Sequence, residues 1–446
     1  MASAAEQLAA NMNFSAFGKA TELKQRLWFT LGALLIYRLG TYIPLPGIDP
    51  VALQHAFQQN QGGLLGIFDM FSGGALGRMS ILALNITPYI TASIIIQLLT
   101  AIVPSLEALK KEGEAGRKQI NQYTRYATVG LAILQGFFFI GKGLEAGGGG
   151  AVLDPGLPFL LTTTVTVVGG TVFLMWLGEQ VTQRGVGNGT SLIIFSGIVA
   201  NLPSAAGHLL EGMQQGATSP FVGVGLLVLA IGVVAFIVFM ERAHRRVIVQ
   251  YAKQQRGNKI YGGEASHLPL KMNTSGVIPP IFASSLLLLP ASIAGFQGAN
   301  GDGGILSTLV GYVGHGKPLY MVLYVLLIIF FSFFYTAVVF NPTETADNLR
   351  KYGGFIPGIR PGKNTADYLD YVLTRLTVIG GAYLAIVCIL PEILISQYAV
   401  PFYFGGTSLL IVVSVTMDTV AQINSHLLAH QYAGLIKKSK LRGRRG

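Results

Sequence analysis

The chain has 446 residues, 51% of them hydrophobic and only 11% charged, where an ordinary soluble domain carries about 25% charged residues. That deficit excludes a conventional soluble enzyme and points to a membrane protein. The single cysteine, Cys388, lies in the apolar run AIVCILP; it excludes an internal disulfide and a multi-cysteine metal site, and it reads as a buried thiol. The net charge of +11 matters less than where it is placed.

A membrane-spanning helix needs about 20 apolar residues. Ten segments fit, centred on Leu34, Ser93, Leu134, Val168, Ser196, Ala230, Ser285, Ile328, Ile386 and Val412. The first begins near Leu27 and is followed by TYIPLPGIDP, not by a small-residue cleavage site, so it reads as a retained span. Next comes LLGIFDMFSGGALGRMS, Leu64 to Ser80. It is apolar enough to leave water, yet Asp69, Gly73-Gly74 and Arg78 interrupt it, and it is too short to cross. It reads as a segment that enters the membrane from outside, breaks at the glycine pair and returns into the second span. Such backbone is tolerated at membrane depth only inside protein or a wet cavity.

Placement of positive charge sets the topology. With the N-terminus inside, 27 of the 31 Lys and Arg residues fall on the cytoplasmic side. Only Arg78, Lys142 and Lys317 fall outside, and Arg38 lies within the first span. This bias puts both termini in the cytoplasm.

An internal repeat links span to span. PYITAS (Pro88 to Ser93) in the second matches PPIFAS (Pro279 to Ser284) in the seventh. GTSLII (Gly189 to Ile194) in the fifth matches GTSLLI (Gly406 to Ile411) in the tenth. Each pair is offset by five spans. An odd offset reverses direction across the membrane, so the halves are expected to be inverted repeats, a plan associated with a pathway between them. The repeat aligns Ile90 with Ile281 and Ile194 with Ile411, and Ile86 lies one turn from Ile90 on the same face. Two readings stay open on this evidence: the isoleucines converge on a common axis, or they pack as isoleucines do in any apolar helix.

Few ionisable groups lie deep in the spans. Arg38, Glu179, Glu392 and Asp418 fall within them or near their ends. There is no midplane cluster of carboxylates or histidines such as ion-coupled transporters carry, and no filter motif. Two phosphate-loop lookalikes end at Gly141-Lys142 and Gly316-Lys317, and both lack the Ser or Thr that would hold magnesium. His426 and His430 are four residues apart but have no third ligand, so they read as polar surface. No nucleophile and base stand together. The expectation is a non-enzyme without cofactor or metal.

Two cytoplasmic loops exceed what topology needs. In 241–273, RRVIVQYA alternates as a strand does, and Gly257-Asn258 supplies a turn, which predicts a β-hairpin. In 340–374, GFIPGIRPGKNT holds Arg360 between two Pro-Gly steps. Stiff basic projections suit an acidic partner, RNA phosphates or a protein groove. The alternative is that the topology rule by itself placed these charges.

FSGGALGRMSILALNITPYITASIIIQLL, RGVGNGTSLIIF, HLPLKMNTSGVIPPIFASS, FNPTETADNL, IPGIRPG and VPFYFGGTSLLIVV occur in this order. They resemble the SecY family, the central subunits of the bacterial protein-translocation channel. The similarity runs from about Leu23 to the basic tail. It implies an all-α polytopic membrane protein, with ten transmembrane helices in two inverted five-helix halves that form a clamshell around a central pore. The implied parts are a cytoplasmic segment 1–23, a first half 24–209, a docking hairpin 241–273, a second half 220–425 with the loop 340–374, and a basic tail 426–446. The resemblance implies a pore ring of Ile86, Ile90, Ile194, Ile281 and Ile411. It implies a re-entrant plug helix over 63–76, including Leu64, Leu65, Ile67, Phe68, Met70, Phe71, Gly73 and Gly74. It also implies a lateral gate beside the second and seventh spans.

Docking falls by resemblance to Arg245, Arg246, Lys253, Arg256, Lys259 and Arg360, although RGNK carries less arginine than the family's hairpin turn often does. The partners implied are SecE-like and SecG-like small membrane subunits, a SecA-like motor ATPase, and a ribosome with its rRNA during co-translational insertion. The unfolded preprotein substrate and the membrane lipids complete the set. The implied function is a protein-conducting channel in the bacterial inner membrane that also releases apolar segments laterally. A small-solute secondary transporter is the alternative that ten spans and inverted repeats also fit, and a lipid-embedded enzyme is disfavoured by the missing catalytic set.

Overall fold

The computed structural model describes residues 21–49, 51–53, 69, 72–142, 144, 152–214, 220–251, 254–256, 259–261, 265–297, 317–398 and 406–442. The first part contains α1 (Thr21–Gly40), α2 (Thr87–Ile102), α3 (Pro104–Lys111) and α4 (Glu114–Leu134), which runs on into a π-helical stretch, Gln135–Lys142. It continues with α5 (Leu157–Arg184) and α6 (Gly189–Gln214). The second part contains α7 (Pro220–Arg242), α8 (Ile278–Gln297), α9 (Pro318–Val339), α10 (Pro342–Lys351), α11 (Lys363–Tyr398) and α12 (Gly406–Arg442).

All ten expected span centres fall inside helices: α1, α2, α4, α5, α6, α7, α8, α9, α11 and α12. By length and composition, five helices among the described residues qualify as spans, or six if α2 and α3, bent by 97° to each other, count as one. Of the others, α6 and α8 are apolar over shorter stretches, Gly189–Ser204 and Ile278–Leu287, and α1 and α4 carry polar stretches at one end. α1 opens on Glu22, Lys24 and Arg26, and α4 opens on EAGRKQINQYTR. The α2–α3 break has a local cause. Pro104 lacks the N–H that a continuing helix would use, and Val103 adopts an extended conformation before it. The lookalike ending at Gly141-Lys142 is π-helical, not a phosphate-cradling loop; the one ending at Gly316-Lys317 falls outside the described residues up to Lys317.

The two parts meet through the helices that carry the internal repeat. α2 packs on α8, and α6 packs on α12. Glycine sets the approach of each GTS segment to the helix before it. A Cβ on Gly189 would collide with the Gly178 carbonyl of α5, and one on Gly406 would collide with the Val387 carbonyl and Cys388 of α11. α5 and α11 are themselves five spans apart, so the repeat extends from sequence into packing. Cys388 is fully enclosed at this crossing, as a small thiol there should be.

The predicted hairpin is present and is larger than expected. β1 (His244–Tyr251) pairs antiparallel with β4 (Ala265–Lys271), with Val247 opposite Leu268 and Val249 opposite Ser266. Nearer the tip, β2 (Gln254–Arg256) pairs with β3 (Lys259–Tyr261), with Arg256 opposite Lys259. β5 (Gly354–Phe355), from the other basic loop, adds to the free edge of β1 at Gln250 and Tyr251. Val247 and Val249 are buried and Ile248 is exposed, the alternation of a half-buried strand. Val247 and Leu270 join Ile356 and residues Leu369, Val372, Leu373 and Leu376 of α11 in one apolar cluster. The two loops therefore form a single body seated on the start of α11.

Gly189→Val and Gly406→Val are expected to destabilise the protein by overpacking, each by about 1–3 kcal/mol, seen as a lower thermal midpoint in detergent. Gly225→Val, where an added side chain meets nothing within 4 Å, is the control and should leave the midpoint in place.

Candidate functional site: an isoleucine cluster and a pinned turn

Ile86, Ile90, Ile194, Ile281 and Ile411 fall in one apolar cluster. They arrive on four elements. Ile86 is the residue that precedes α2, and Ile90 lies one turn into it. Ile194 comes from the second turn of α6, Ile281 from the start of α8, and Ile411 from the second turn of α12. Ile86 and Ile411 are each only 1% exposed and Ile194 7%, while Ile90 and Ile281 are half-buried. Ile90 also touches a second core, built mostly from α7, α8, α9, α11 and α12, as does Val277. These two residues mark the line along which the two parts abut.

The starts of α2, α6 and α12 are positioned for this meeting by local chemistry. α2 begins at Thr87-Pro88, where proline's fixed φ suits a first turn. Asn188 accepts from the Thr190 and Ser191 backbone N–H groups and caps α6. Gly406 lets α12 lie against α11. No charged or hydrogen-bonding side chain belongs to the isoleucine set itself. Its contacts are nondirectional.

Beside the cluster runs the broken segment. Leu64, Leu65, Ile67, Phe68, Met70 and Phe71 lie outside the described residues, whereas Asp69 and Ser72–Ser80 are described. Gly73 and Gly74 have φ of 67° and 82°, the left-handed region that favours glycine. A Cβ on Gly73 would also stand 2.9 Å from the Gly197 Cα of α6. The turn is held by α1. Arg38 donates to the Gly73 carbonyl at 2.6 Å, and Arg78 donates to the same oxygen at 3.0 Å. Both guanidiniums lie over the Tyr42 ring, at 5.1 and 4.3 Å. The Tyr37 hydroxyl, fully buried, donates to the Ser72 carbonyl at 3.2 Å. Within the turn, the Asp69 carboxylate accepts from the Gly77 N–H at 2.6 Å and its carbonyl accepts from the Gly74 N–H at 3.0 Å.

Arg38 and Arg78 were legible only as exceptions. They are two of the four basic residues that the charge pattern sets apart from the rest, and their shared carbonyl acceptor accounts for them. Glu179, one of the few ionisable groups expected within or near a span end, pairs with Arg125 at 2.9 and 2.7 Å. That pairing had no sequence signal, since the partners are 54 residues apart.

Of the docking residues, Arg245, Arg246 and Arg360 are exposed. Arg360 sits between Gly358 and Gly362, whose φ values of 82° and 109° hold the loop in a shape other residues disfavour, and its carbonyl accepts from the Thr365 hydroxyl at 2.9 Å. Arg256 and Lys259 pair across the hairpin tip, and Lys253 lies outside the described residues. Among the described residues, no three His, Cys, Asp or Glu side chains gather as a metal site.

The sequence model of the SecY family matches residues 80–420. A protein translocase subunit SecY of Rickettsia conorii (strain ATCC VR-613 / Malish 7) is 55% identical over 423 residues, covering 94% of this chain and 97% of that one. The protein translocase subunit SecY of Escherichia coli (strain K12) is 53% identical over 431 residues, covering 96% and 97%. Among solved structures, one described as a protein-conducting channel superposes with a TM-score of 0.68 at 18% identity, over 91% of this chain and 92% of that one. Sec61 from a canine ribosome-channel complex gives 0.64 at 18% identity over the same shares.

Asp69→Ala is expected to strand the Gly77 N–H and loosen the turn by about 1–3 kcal/mol, whereas Asp69→Asn keeps an acceptor oxygen and should cost less. The measurement is the maleimide labelling rate of a cysteine placed at the buried Ala75, with Cys388 replaced by serine. Equal labelling in the two variants would count against Asp69 as the organiser of the turn.

Proposed function

The chain belongs to the SecY family of protein translocase subunits, and from that membership we propose that it passes unfolded secretory polypeptides across the bacterial inner membrane and releases apolar segments sideways into lipid. The observation that carries this reading is that Ile86, Ile90, Ile194, Ile281 and Ile411 fall in one apolar cluster where the two parts meet. We read it as the pore ring. A channel for every sequence cannot offer specific hydrogen bonds at its narrowest point, because each would hold some chains and hinder others. Isoleucine closes around any chain and, when closed, excludes water and ions.

The remaining roles follow. Ten helices form two inverted halves of a clamshell, with both termini in the cytoplasm. The segment 63–76 is the plug, and the Gly73 carbonyl shared by Arg38 and Arg78 is its tether. The gate lies where α2 meets α8, a contact between the two parts. An apolar segment in the pore gains roughly 25 cal/mol per Å² by leaving water for lipid, so parting these helices is enough to sort it. The outward faces of α1 and α7, with Trp28, Leu35, Phe221 and Ile231 all exposed, suit lipid or small membrane subunits of the SecE and SecG kind. The sheet that unites both basic loops presents Arg245, Arg246 and Arg360 to a motor ATPase of the SecA kind or to a ribosome. Energy for transport comes from these partners. The small-solute transporter alternative finds no support in the relatives.

The test is reconstitution with SecE-like subunit, motor and ATP, scoring protease protection of a secretory precursor. Protection is expected, and its absence together with uptake of a small solute would overturn the reading. Ile90→Ser and Ile281→Ser together should raise the ion conductance of the resting channel, and an unchanged leak would sink the ring assignment. Arg360→Glu should cut motor-driven transport at least tenfold while leaving resting conductance as it was.

A further inference from the structure

A cavity of about 260 Å³ opens between α2, α4, α5 and the start of α6. It lies on the side of the isoleucine cluster where α5 ends at Arg184, the side that the charge bias assigns to the cytoplasm. It reaches the cluster itself: Tyr89, which lines the cavity, packs against the cluster and adjoins Ile90. Thr190, also in the lining, is one helical turn before Ile194.

The lining has an unusual balance. Arg125 and Glu179 are the only charged groups in it, and each neutralises the other through two hydrogen bonds of 2.9 and 2.7 Å. A free cation would compete with Arg125 and a free anion with Glu179. Asn188 spends its side-chain oxygen on the backbone and hydroxyl of Thr190. The Asn121 and Gln183 side chains make no hydrogen bond among the described residues, line the cavity and are exposed. A carboxamide both donates and accepts, and a doubly bonded carboxylate retains lone pairs. The site therefore suits a neutral ligand with alternating donors and acceptors. Its volume is below the roughly 300–1,000 Å³ of drug-sized ligand sites, and fits one or two residues of chain.

We propose that this cavity is a subsite for the backbone amides of an extended polypeptide on its way to the isoleucine cluster. The proposal rests on the channel reading above. The peptide group is the one polar feature common to all sequences, so Asn121 and Gln183 can grip a chain without choosing among chains. The aliphatic cluster and the amide subsite divide the work: one seals without specificity, the other holds the backbone in register beside it.

The test uses the reconstituted translocase and a precursor halted by a folded C-terminal domain, with a photo-crosslinking residue in the halted stretch. Crosslinks to the segment 179–188 are expected whether that stretch is Gly/Ser-rich, Lys-rich or Asp-rich. Asn121→Ala with Gln183→Ala should raise the precursor concentration for half-maximal transport about tenfold, as loss of two hydrogen bonds implies, with the maximal rate kept. Both residues are exposed, so folding is spared. Absence of crosslinks in channels that transport normally would overturn the subsite, as would an effect confined to Lys-rich or Asp-rich stretches. So would a fall in maximal rate at unchanged half-saturation. Failure of the unaltered chain to transport any precursor would instead sink the channel reading, and the subsite with it.

Discussion

Aliphatic side chains from four elements on both sides of the molecule share one small volume, and much of the architecture is arranged to bring them there. α2 and α8 touch, α6 and α12 touch, and each contact delivers isoleucines near a helix start. Dispersion and desolvation bind such groups without direction. Such contacts can separate and re-form without breaking a specific bond.

The turn beside the cluster is built on the opposite principle. There the contacts are directional: two guanidiniums on one carbonyl, a buried hydroxyl on the next, and a carboxylate closing the loop on itself. Directional bonds give a defined resting position. The same segment also buries Ala75 and Leu76, the latter in a neighbouring apolar core. The glycines serve the same end, because Gly73 combines a left-handed backbone with close contact to Gly197. The cluster and the turn are in this sense two arrangements, one greasy and one polar, placed side by side.

The two basic loops show how far sequence patterning reaches. The alternation in RRVIVQYA was sufficient to foresee a strand, and β1 occupies it. What the pattern did not contain was β5. Two residues, Gly354 and Phe355, reach the edge of β1 from more than a hundred positions away. Such a short strand has no periodicity to read, and it exists because the apolar side chains of Ile356 and α11 hold the loop against the hairpin. The two basic loops are thereby joined in one sheet.

Local sequence determined the helical class, the ten apolar centres and the pairing of PYITAS with PPIFAS and GTSLII with GTSLLI. All of these depend on composition or short patterns, which the chain carries wherever it goes. The repeat also nominated four of the five clustered isoleucines, but left ordinary packing open, since an isoleucine on an apolar helix looks the same in either case. Only the tertiary structure decided that they share one cluster, because proximity among residues 86 and 411 is a property of four packed helices and of no segment alone. The same holds for Arg38 with Gly73 and Arg125 with Glu179: a charge in an apolar run is visible in the sequence, but the group that satisfies it is chosen by the fold.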